Sequence, residues 1–166
     1  IDAVIADAAS KNIRPDLMPE FLEAMKKGAT SQSENSNYGR RGTKDYLKLG
    51  YVPLTHHESV NHTLDYAFSD YCISQVAKQT GDKEISDFYA HQAKDYQNIF
   101  DSETGFMRAK DADGNFRADF LDIRWGRDYA EGSAWQTSWS VLHDFAGLIK
   151  LHGSRENFEN KLIELC

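Results

Sequence analysis

The sequence has 166 residues, which suits one domain of average size or a piece of a larger one. Hydrophobic residues make up 40% of it, so it can bury a core and is not a disordered tail. Acidic residues outnumber basic ones by 26 to 19 and no basic run occurs, which argues against a nucleic-acid partner. No apolar run approaches the roughly 18 residues of a membrane span, so we expect none.

The two ends of the sequence have the pattern of helix interiors rather than of natural termini. The first residues lack a Met and a signal-peptide pattern, and the last residues contain no helix stop. We therefore expect residues 1–166 to be a fragment of a single domain with no internal boundary. Cys72 and Cys166 are too few for a disulfide framework. A bridge between them is possible, but two buried or idle thiols are the preferred interpretation.

Helical periodicity dominates the chain from its beginning. The first predicted elements are a helix around residues 4–8, a second helix capped by Asp16 and ended by Gly28, a polar loop over 29–42, short turns over 43–49 and an extended segment over 51–54. Strand patterns are weak throughout the sequence, so helices are expected to form the core.

The clearest predicted helices follow this first part. Apolar spacing predicts one helix from its N-cap Ser59 to Gly81, one from Asp82 to Ile99, a continuous one over 134–151 and a last one capped by Ser154. Residues 101–127 form a long connection between them, and structureless loops of that length are uncommon unless they are functional. Helices joined by alternately short and long connections predict an all-α fold of antiparallel helical pairs.

Glu131 is the residue whose neighbours in the sequence point most directly to chemistry. It lies just before a predicted helix, with Trp125 and Trp135 on either side. Glycosidases need carboxyl groups that flank the anomeric carbon and aromatic groups that hold the sugar. Partial burial beside apolar rings would keep such a carboxyl protonated, as a general acid must be. The alternative is a helix-start Glu stabilised by the helix dipole, with the Trp rings in the core.

Three blocks of the sequence resemble signature segments of the glycoside hydrolase family 92 α-mannosidases. The blocks are 50–53 with 58–71, then 96–108 with Asp113-Gly114, and finally 129–139 followed by His143-Asp144 and 147–149. They come in the family's order at about the family's spacing, and together they cover roughly residues 40–165. The chain is identified on these blocks as similar to the catalytic domain of that family.

The resemblance implies a partial (α/α)6 barrel with roughly half of its helices in this chain. It also implies an exo-acting, calcium-dependent enzyme that inverts the configuration at α-mannosidic bonds in glycans of the N-glycan or mannan type. Glu131 matches the general acid in the family's Glu-Gly-x-Ala-Trp-Gln block. The base and most calcium ligands are implied to lie downstream, so the chain would need the rest of its own polypeptide and hold no metal itself. Export to the periplasm or the extracellular space is expected from the family.

Several further residues are candidates for contact with the sugar. They are Trp125, Trp135, Gln136, Glu58 and His57. The two Trp residues lie near Glu131 in the sequence, but a core position is the alternative for Trp135. The resemblance places Glu58 and His57 at the start of a barrel helix near the site, and solvated loop residues are the alternative for both.

His143 and Asp144 are interpreted as a hydrogen-bonded pair inside a helix that supports the site, with direct sugar contact as the alternative. The sequence departs from the family pattern close to this pair. Thr137 and Ser138 replace the usual Tyr-Thr, and Leu142 stands where a Pro usually precedes His-Asp. These departures are expected to change local packing without touching the acid.

Three other segments give predictions of their own. Residues 109–120 would place Gly114 at the sixth position of a calcium loop, but the first and twelfth positions are not acidic, so a polar turn is predicted. Asn61-His62-Thr63 fits a glycosylation triplet that falls within a predicted helix. Asp70 is interpreted as a buried hydrogen-bonding acid or a salt-bridge partner.

The alternative to an enzyme is a non-catalytic carbohydrate-binding domain or a helical scaffold whose Trp residues serve only the core. The surroundings of Glu131 separate these functions. Access to solvent beside aromatic side chains favours the enzyme, whereas burial under a helix with a permanent Arg partner favours the scaffold.

Overall fold

Helices are the main elements of the protein in a computed structural model that describes residues 1–35 and 38–165. The helices are α1 (Asp2–Ser10), α2 (Met18–Thr30), α3 (Thr43–Leu49), α4 (Ser59–Thr80), α5 (Lys83–Gln92), α6 (Ala134–Thr137), α7 (Phe145–Leu151) and α8 (Arg155–Leu165). The predicted all-α class is confirmed, with a small β-hairpin as an addition. Residues 36 and 37 of the predicted polar loop, and the thiol predicted at Cys166, lie outside the described residues.

α4 is the central helix, against which α1, α2 and α5 pack. Its first half contributes Val60 and Leu64 to one apolar core, and its second half contributes Ile73 and Val76 to another core shared with α1 and α2. The thiol of Cys72 is buried in the second core, so the prediction is confirmed for this cysteine. None of the helices in the described ranges is both long and apolar enough to cross a bilayer.

The two ends of α4 are formed differently from each other. Gly81 ends the helix as predicted, with a left-handed φ of 82°. The prediction that Ser59 caps the helix is wrong, because the helix starts at Ser59 and its buried Oγ has no partner among the described residues. The N–H of Val60 instead donates to the carbonyl of Asp128 at 3.1 Å. A carbonyl that is distant in sequence thus satisfies a first-turn N–H group.

The segment after α5 is more ordered than the sequence predicts. α5 ends at Gln92, a 3-10 helix covers Asp95–Ile99, and a hairpin pairs β1 (Phe100–Asp101) with β2 (Phe106–Met107). The Asp101 carboxylate accepts hydrogen bonds from Thr104 Oγ1 at 2.8 Å and from Arg108 Nη1 at 2.6 Å. The prediction of a continuous helix to Ile99 is wrong, because α5 ends at Gln92 and the chain continues in a separate 3-10 helix. The long connection predicted over 101–127 contains β2 and is therefore partly ordered.

The predicted continuous helix over 134–151 is also wrong. α6 ends at Thr137, and the chain turns before α7 begins at Phe145. Ser138 Oγ accepts a hydrogen bond from the N–H of Met107 in β2 at 2.9 Å, so this residue belongs to a contact with the hairpin. Asp144 starts a new helix, because its Oδ1 accepts the N–H of Gly147 at 2.8 Å. The expected single apolar stripe is therefore split between two short helices. The last helix has the predicted cap, since Ser154 Oγ accepts the N–H of Asn157 at 3.0 Å.

A side chain at position 147 should destabilise the protein. A Cβ atom on Gly147 would collide with Asp144 Oδ2 and the Tyr96 hydroxyl, which form a hydrogen bond of 2.9 Å. We expect Gly147→Ala to lower the free energy of unfolding by about 1–3 kcal/mol, as overpacking of a core does. The measurement is the shift of the thermal or urea unfolding midpoint of the intact protein.

Gly28→Ala is the matched control for this substitution. Gly28 was predicted to end α2 but lies inside it, and a Cβ atom there would have open space. Alanine should therefore raise the free energy of unfolding by about 0.5–1 kcal/mol through helix propensity. Two shifts of the same sign would contradict the packing described around Gly147.

Candidate active site

The loop formed by residues 126–133 docks on the first turn of α4. The N–H of Glu58 donates to the carbonyl of Arg127 at 2.8 Å, next to the bond between Val60 and Asp128. Asn61 Oδ1 accepts the N–H of Ala130 at 2.9 Å. The two ends of the loop are joined as well, because the N–H of Gly126 donates to the carbonyl of Gly132 at 2.9 Å. The start of α4 thus sets the position of this loop, which we call the 126–133 loop.

An ion pair between the half-buried Arg117 and the buried Asp128 fixes the 126–133 loop from its other side. Asp128 is only 6% exposed. Arg117 donates two parallel hydrogen bonds to it, from Nε to Oδ2 and from Nη2 to Oδ1, both of 2.7 Å. Such a two-pronged arrangement fixes orientation as well as distance. Arg127 Nη1 adds a bond of 2.8 Å to Asp119 Oδ2. The loop is therefore tied both to α4 and to the segment that follows the hairpin.

Three residues at this junction have a left-handed backbone although none is a glycine. Their φ angles are 59° at Glu58, 60° at Arg127 and 49° at Glu131. A side chain in this region costs roughly 1–2 kcal/mol per residue. Residues in such conformations persist only where surrounding contacts hold them, and they concentrate at functional sites. The hydrogen bonds of the 126–133 loop are the contacts that hold them here.

Glu131 is exposed on this loop, and within the described part of the chain its carboxylate has no hydrogen bond or ion pair. Glu131 does not have the partial burial beside apolar rings that was expected. It lies on a turn ahead of α6, and the Trp135 ring packs against Phe106 instead. Access to solvent and the lack of an Arg partner among the described residues meet two parts of the condition stated for an enzyme, whereas aromatic side chains in contact with Glu131 are not seen there. A carboxyl group held by a fixed backbone and open to solvent can contact a bound ligand.

The side chains of Trp135 and Gln136 are partly engaged in local structure. Trp135 Nε1 donates to Asp122 Oδ2 at 3.0 Å, and its ring lies 4.7 Å from the Phe106 ring in an edge-to-face arrangement. Gln136 Oε1 accepts from the N–H and Oγ of Ser133, at 2.9 and 2.7 Å, in a capping box at the start of α6. The amide nitrogen of Gln136 is thus the group of this side chain left for a ligand.

Trp125, Trp135 and Gln136 line one open groove of about 340 Å³. Trp125 is the most exposed aromatic residue in the lining of this groove, with 68% of its surface accessible to solvent. Ser133 belongs to the same lining and lies two residues after Glu131. The structure therefore brings these three predicted sugar contacts together beside the loop that carries Glu131.

Glu58 and His57 lie at the other side of the loop, where α4 begins. His57 Nδ1 lies 3.5 Å from Glu58 Oε1, and 64% of the His57 side chain is exposed against 29% for Glu58. His56 turns away from them and contacts Asp45 Oδ2 at 2.8 Å. Glu58 therefore borders the loop through its backbone, whereas His57 is largely in solvent.

His143 and Asp144 do not form the expected pair within a helix, because the chain turns here between α6 and α7. His143 Nε2 lies 2.7 Å from the carbonyl of Ala93, and burial lowers the pKa of its imidazole. Asp144 Oδ2 accepts from the Tyr96 hydroxyl at 2.9 Å, besides its role in capping α7. Each side chain thus has its own partner and stabilises the packing around Tyr96. A supporting role for both toward the site stays a prediction.

Metal ligands are sparse in the part of the chain that the structure describes. No group of three or more His, Cys, Asp or Glu side chains there is arranged to hold a metal ion. Asp111 Oδ1 accepts the N–H groups of Asp113 and Asn115, both at 2.9 Å, so its carboxylate closes a tight turn. The predicted polar turn is confirmed at this place. The described residues give calcium no side-chain cluster of their own.

Sequence reasoning missed Asn61, Arg117 and Asp128 as parts of this site. Arg117 and Asp128 are 11 residues apart in a segment without periodicity, so nothing in the sequence pairs them. Asn61 was noticed only as part of a glycosylation triplet. The sequence did contain one signal for Asn61. It lies in the first turn of α4, which directly follows the candidate site residue Glu58.

The model of the glycosyl hydrolase family 92 catalytic domain matches residues 1–166. The chain belongs to this family. Family 92 structures also match it closely. An inverting mannosidase of family 92 from Bacteroides thetaiotaomicron VPI-5482 is 39% identical, with a TM-score of 0.92 over 97% of this chain and 22% of its own. A family 92 α-mannosidase from Bacteroides thetaiotaomicron is 34% identical, with a TM-score of 0.89 over 99% of this chain and 21% of its own.

A complex of the latter α-mannosidase with mannoimidazole matches with a TM-score of 0.88 over 98% of this chain and 22% of its own. An uncharacterized secreted glycosidase of Arthroderma benhamiae is 26% identical to this chain. That match covers 97% of this chain and 25% of the relative. The chain thus spans about a quarter or less of the length of these proteins. The predicted family membership is confirmed.

Proposed function

We propose that the intact protein is an exo-acting, inverting α-mannosidase and that Glu131 is its general acid. The observation that carries this proposal is the exposed Glu131 carboxylate on a rigidly docked loop, beside a groove with an aromatic wall. The mannosidase names of the similar structures support the reaction, and the mannoimidazole complex supports a mannose-like ligand. N-glycans or mannans are the proposed substrates, and an exported location is proposed alongside them, supported by the relative named as secreted.

In the proposed mechanism, Glu131 donates its proton to the glycosidic oxygen while the bond from that oxygen to the anomeric carbon breaks. A carboxylate from elsewhere in the intact protein takes a proton from water, which attacks the opposite face of the sugar. The product is mannose of inverted configuration, and both carboxyl groups regain their starting protonation through solvent. Trp125 and the amide nitrogen of Gln136 would hold the sugar, with Glu58 and His57 at the edge of the site.

The chain would supply roughly half of the helices of an (α/α)6 barrel within a single catalytic domain. The remainder of the polypeptide would complete the barrel and contribute the base. Calcium dependence is proposed for the intact enzyme, with ligands mostly outside residues 1–166.

The test uses the intact protein and the four α-linked mannobioses with 1,2, 1,3, 1,4 and 1,6 linkages. We expect hydrolysis of at least one of them, and proton NMR should show β-mannose as the first product. A β-1,4-linked mannobiose is the matched control and should stay intact. Binding of mannobiose without hydrolysis would support the non-catalytic alternative, and α-mannose as the first product would contradict inversion.

A further inference from the structure

Asn61 holds the peptide group between Tyr129 and Ala130, one residue before Glu131. Its Oδ1 accepts the N–H of Ala130 at 2.9 Å, and both residues are half-buried. We propose that Asn61 is a positioning residue for Glu131, an inference that rests on the proposed role of Glu131 as general acid. The bond crosses 69 residues of sequence and joins the longest helix to the residue beside the acid.

The backbone conformation of Glu131 gives this bond its importance. Glu131 has a φ of 49°, a region that an L-amino acid leaves when nothing prevents it. The bond from Asn61 anchors the chain before Glu131, and the bond between Gly126 and Gly132 anchors it after. Without the first anchor, the backbone torsions of Ala130 can change, which redirects the Cα–Cβ bond of Glu131. A carboxyl displaced by about 1 Å loses much of its efficiency in proton transfer.

Other contacts keep the 126–133 loop in place when Asn61 is truncated. The bonds from Glu58 and Val60 to the loop use backbone atoms only, and the ion pair of Arg117 with Asp128 lies on the opposite side. Asn61→Ala should therefore fold and leave the loop docked. Its effect should be confined to the position of the acid.

The experiment compares two substrates of the intact enzyme. The α-mannobiose that it cleaves has a poor leaving group that needs protonation, whereas 2,4-dinitrophenyl α-mannoside has a good leaving group that does not. We expect Asn61→Ala to lower kcat/KM about 10-fold or more on the mannobiose and by no more than about 2-fold on the aryl substrate. Asn61→Ser keeps a polar side chain that cannot reach Ala130, and it should show the same loss.

Asn98→Ala is the matched control. It removes the same side chain from a site where Asn98 Nδ2 donates to the carbonyl of Gly50 at 3.0 Å, far along the sequence from the loop. Both substrates should be cleaved by this variant as by the wild type. An equal loss on both substrates in Asn61→Ala, or no loss on either, would overturn the positioning role.

A double-mutant cycle separates this inference from the proposed function. In a Glu131→Gln background, Asn61→Ala should cause no further change in the ratio of the two kcat/KM values, because the group that Asn61 positions is gone. A selective loss in Glu131→Gln without one in Asn61→Ala overturns only the positioning role. If Glu131→Gln itself shows no loss that depends on the leaving group, the acid role fails first.

Discussion

Glu131→Gln in the intact enzyme should lower kcat on α-mannobiose by about 10²–10⁴-fold, the contribution of a positioned general acid. Glutamine keeps the size and the hydrogen-bonding reach of the side chain but has no proton to give. The backbone contacts of the 126–133 loop do not involve this side chain, so folding should be unchanged.

Glu103→Gln is the control for charge and composition. Glu103 is exposed at the turn of the hairpin and contacts Asp101 only through its backbone N–H, at 3.0 Å. Its replacement should leave kcat on α-mannobiose unchanged. Wild-type activity of Glu131→Gln on mannobiose would contradict the assignment of the acid.

The second large effect concerns stability, and it is expected for Asp70→Ala. Asp70 is fully buried in α4, where it accepts from Arg40 Nη1 at 2.8 Å and from the Tyr46 hydroxyl at 2.9 Å. Burial raises the pKa of its carboxyl in spite of these two donors. Removing it takes away the close anionic partner of the buried Arg40 guanidinium, because Asp2 Oδ2 lies 4.0 Å from Arg40 Nη2. We expect a loss of about 3–5 kcal/mol in the free energy of unfolding, measured by urea denaturation of the intact protein.

Asp7→Ala is the matched comparison for this prediction. Asp7 pairs with Lys11 at 2.7 Å one turn apart on α1, and about 60% of each side chain is exposed to solvent. Such an exposed pair contributes little to stability, so the unfolding midpoint should barely change. Equal changes in the free energy of unfolding for the two substitutions would show that burial does not determine how much Asp70 stabilises the protein.

Much of the helical part of the fold could be predicted from the sequence, because its information is local. Apolar spacing and the glycine at position 81 were enough to place α4. Its N-terminus could not be predicted from local signals, because the partner of the Val60 N–H is a carbonyl that lies 68 residues further along the chain. The buried, hydrogen-bonded state of Asp70 was predicted correctly, although its partners Arg40 and Tyr46 could not be named.

The candidate site shows the same division between local and distant information. Glu131, Trp135 and Gln136 could be picked out because they lie together in one motif. The contacts that hold the motif come from Asn61 and Arg117, whose side chains meet it only after the chain has folded. The break between α6 and α7 escaped prediction for a related reason. Ser138 has no unusual sequence context, and its bond to Met107 is long-range.

The shared hydrogen bonds between α4 and the 126–133 loop also make two amide protons into reporters. The N–H groups of Glu58 and Val60 both donate hydrogen bonds to backbone carbonyls of that loop. They can exchange with deuterated water only when the loop lifts from the helix or the whole region unfolds. Their exchange rates would therefore measure how often the 126–133 loop opens, in the absence of any substrate and without a change in the sequence.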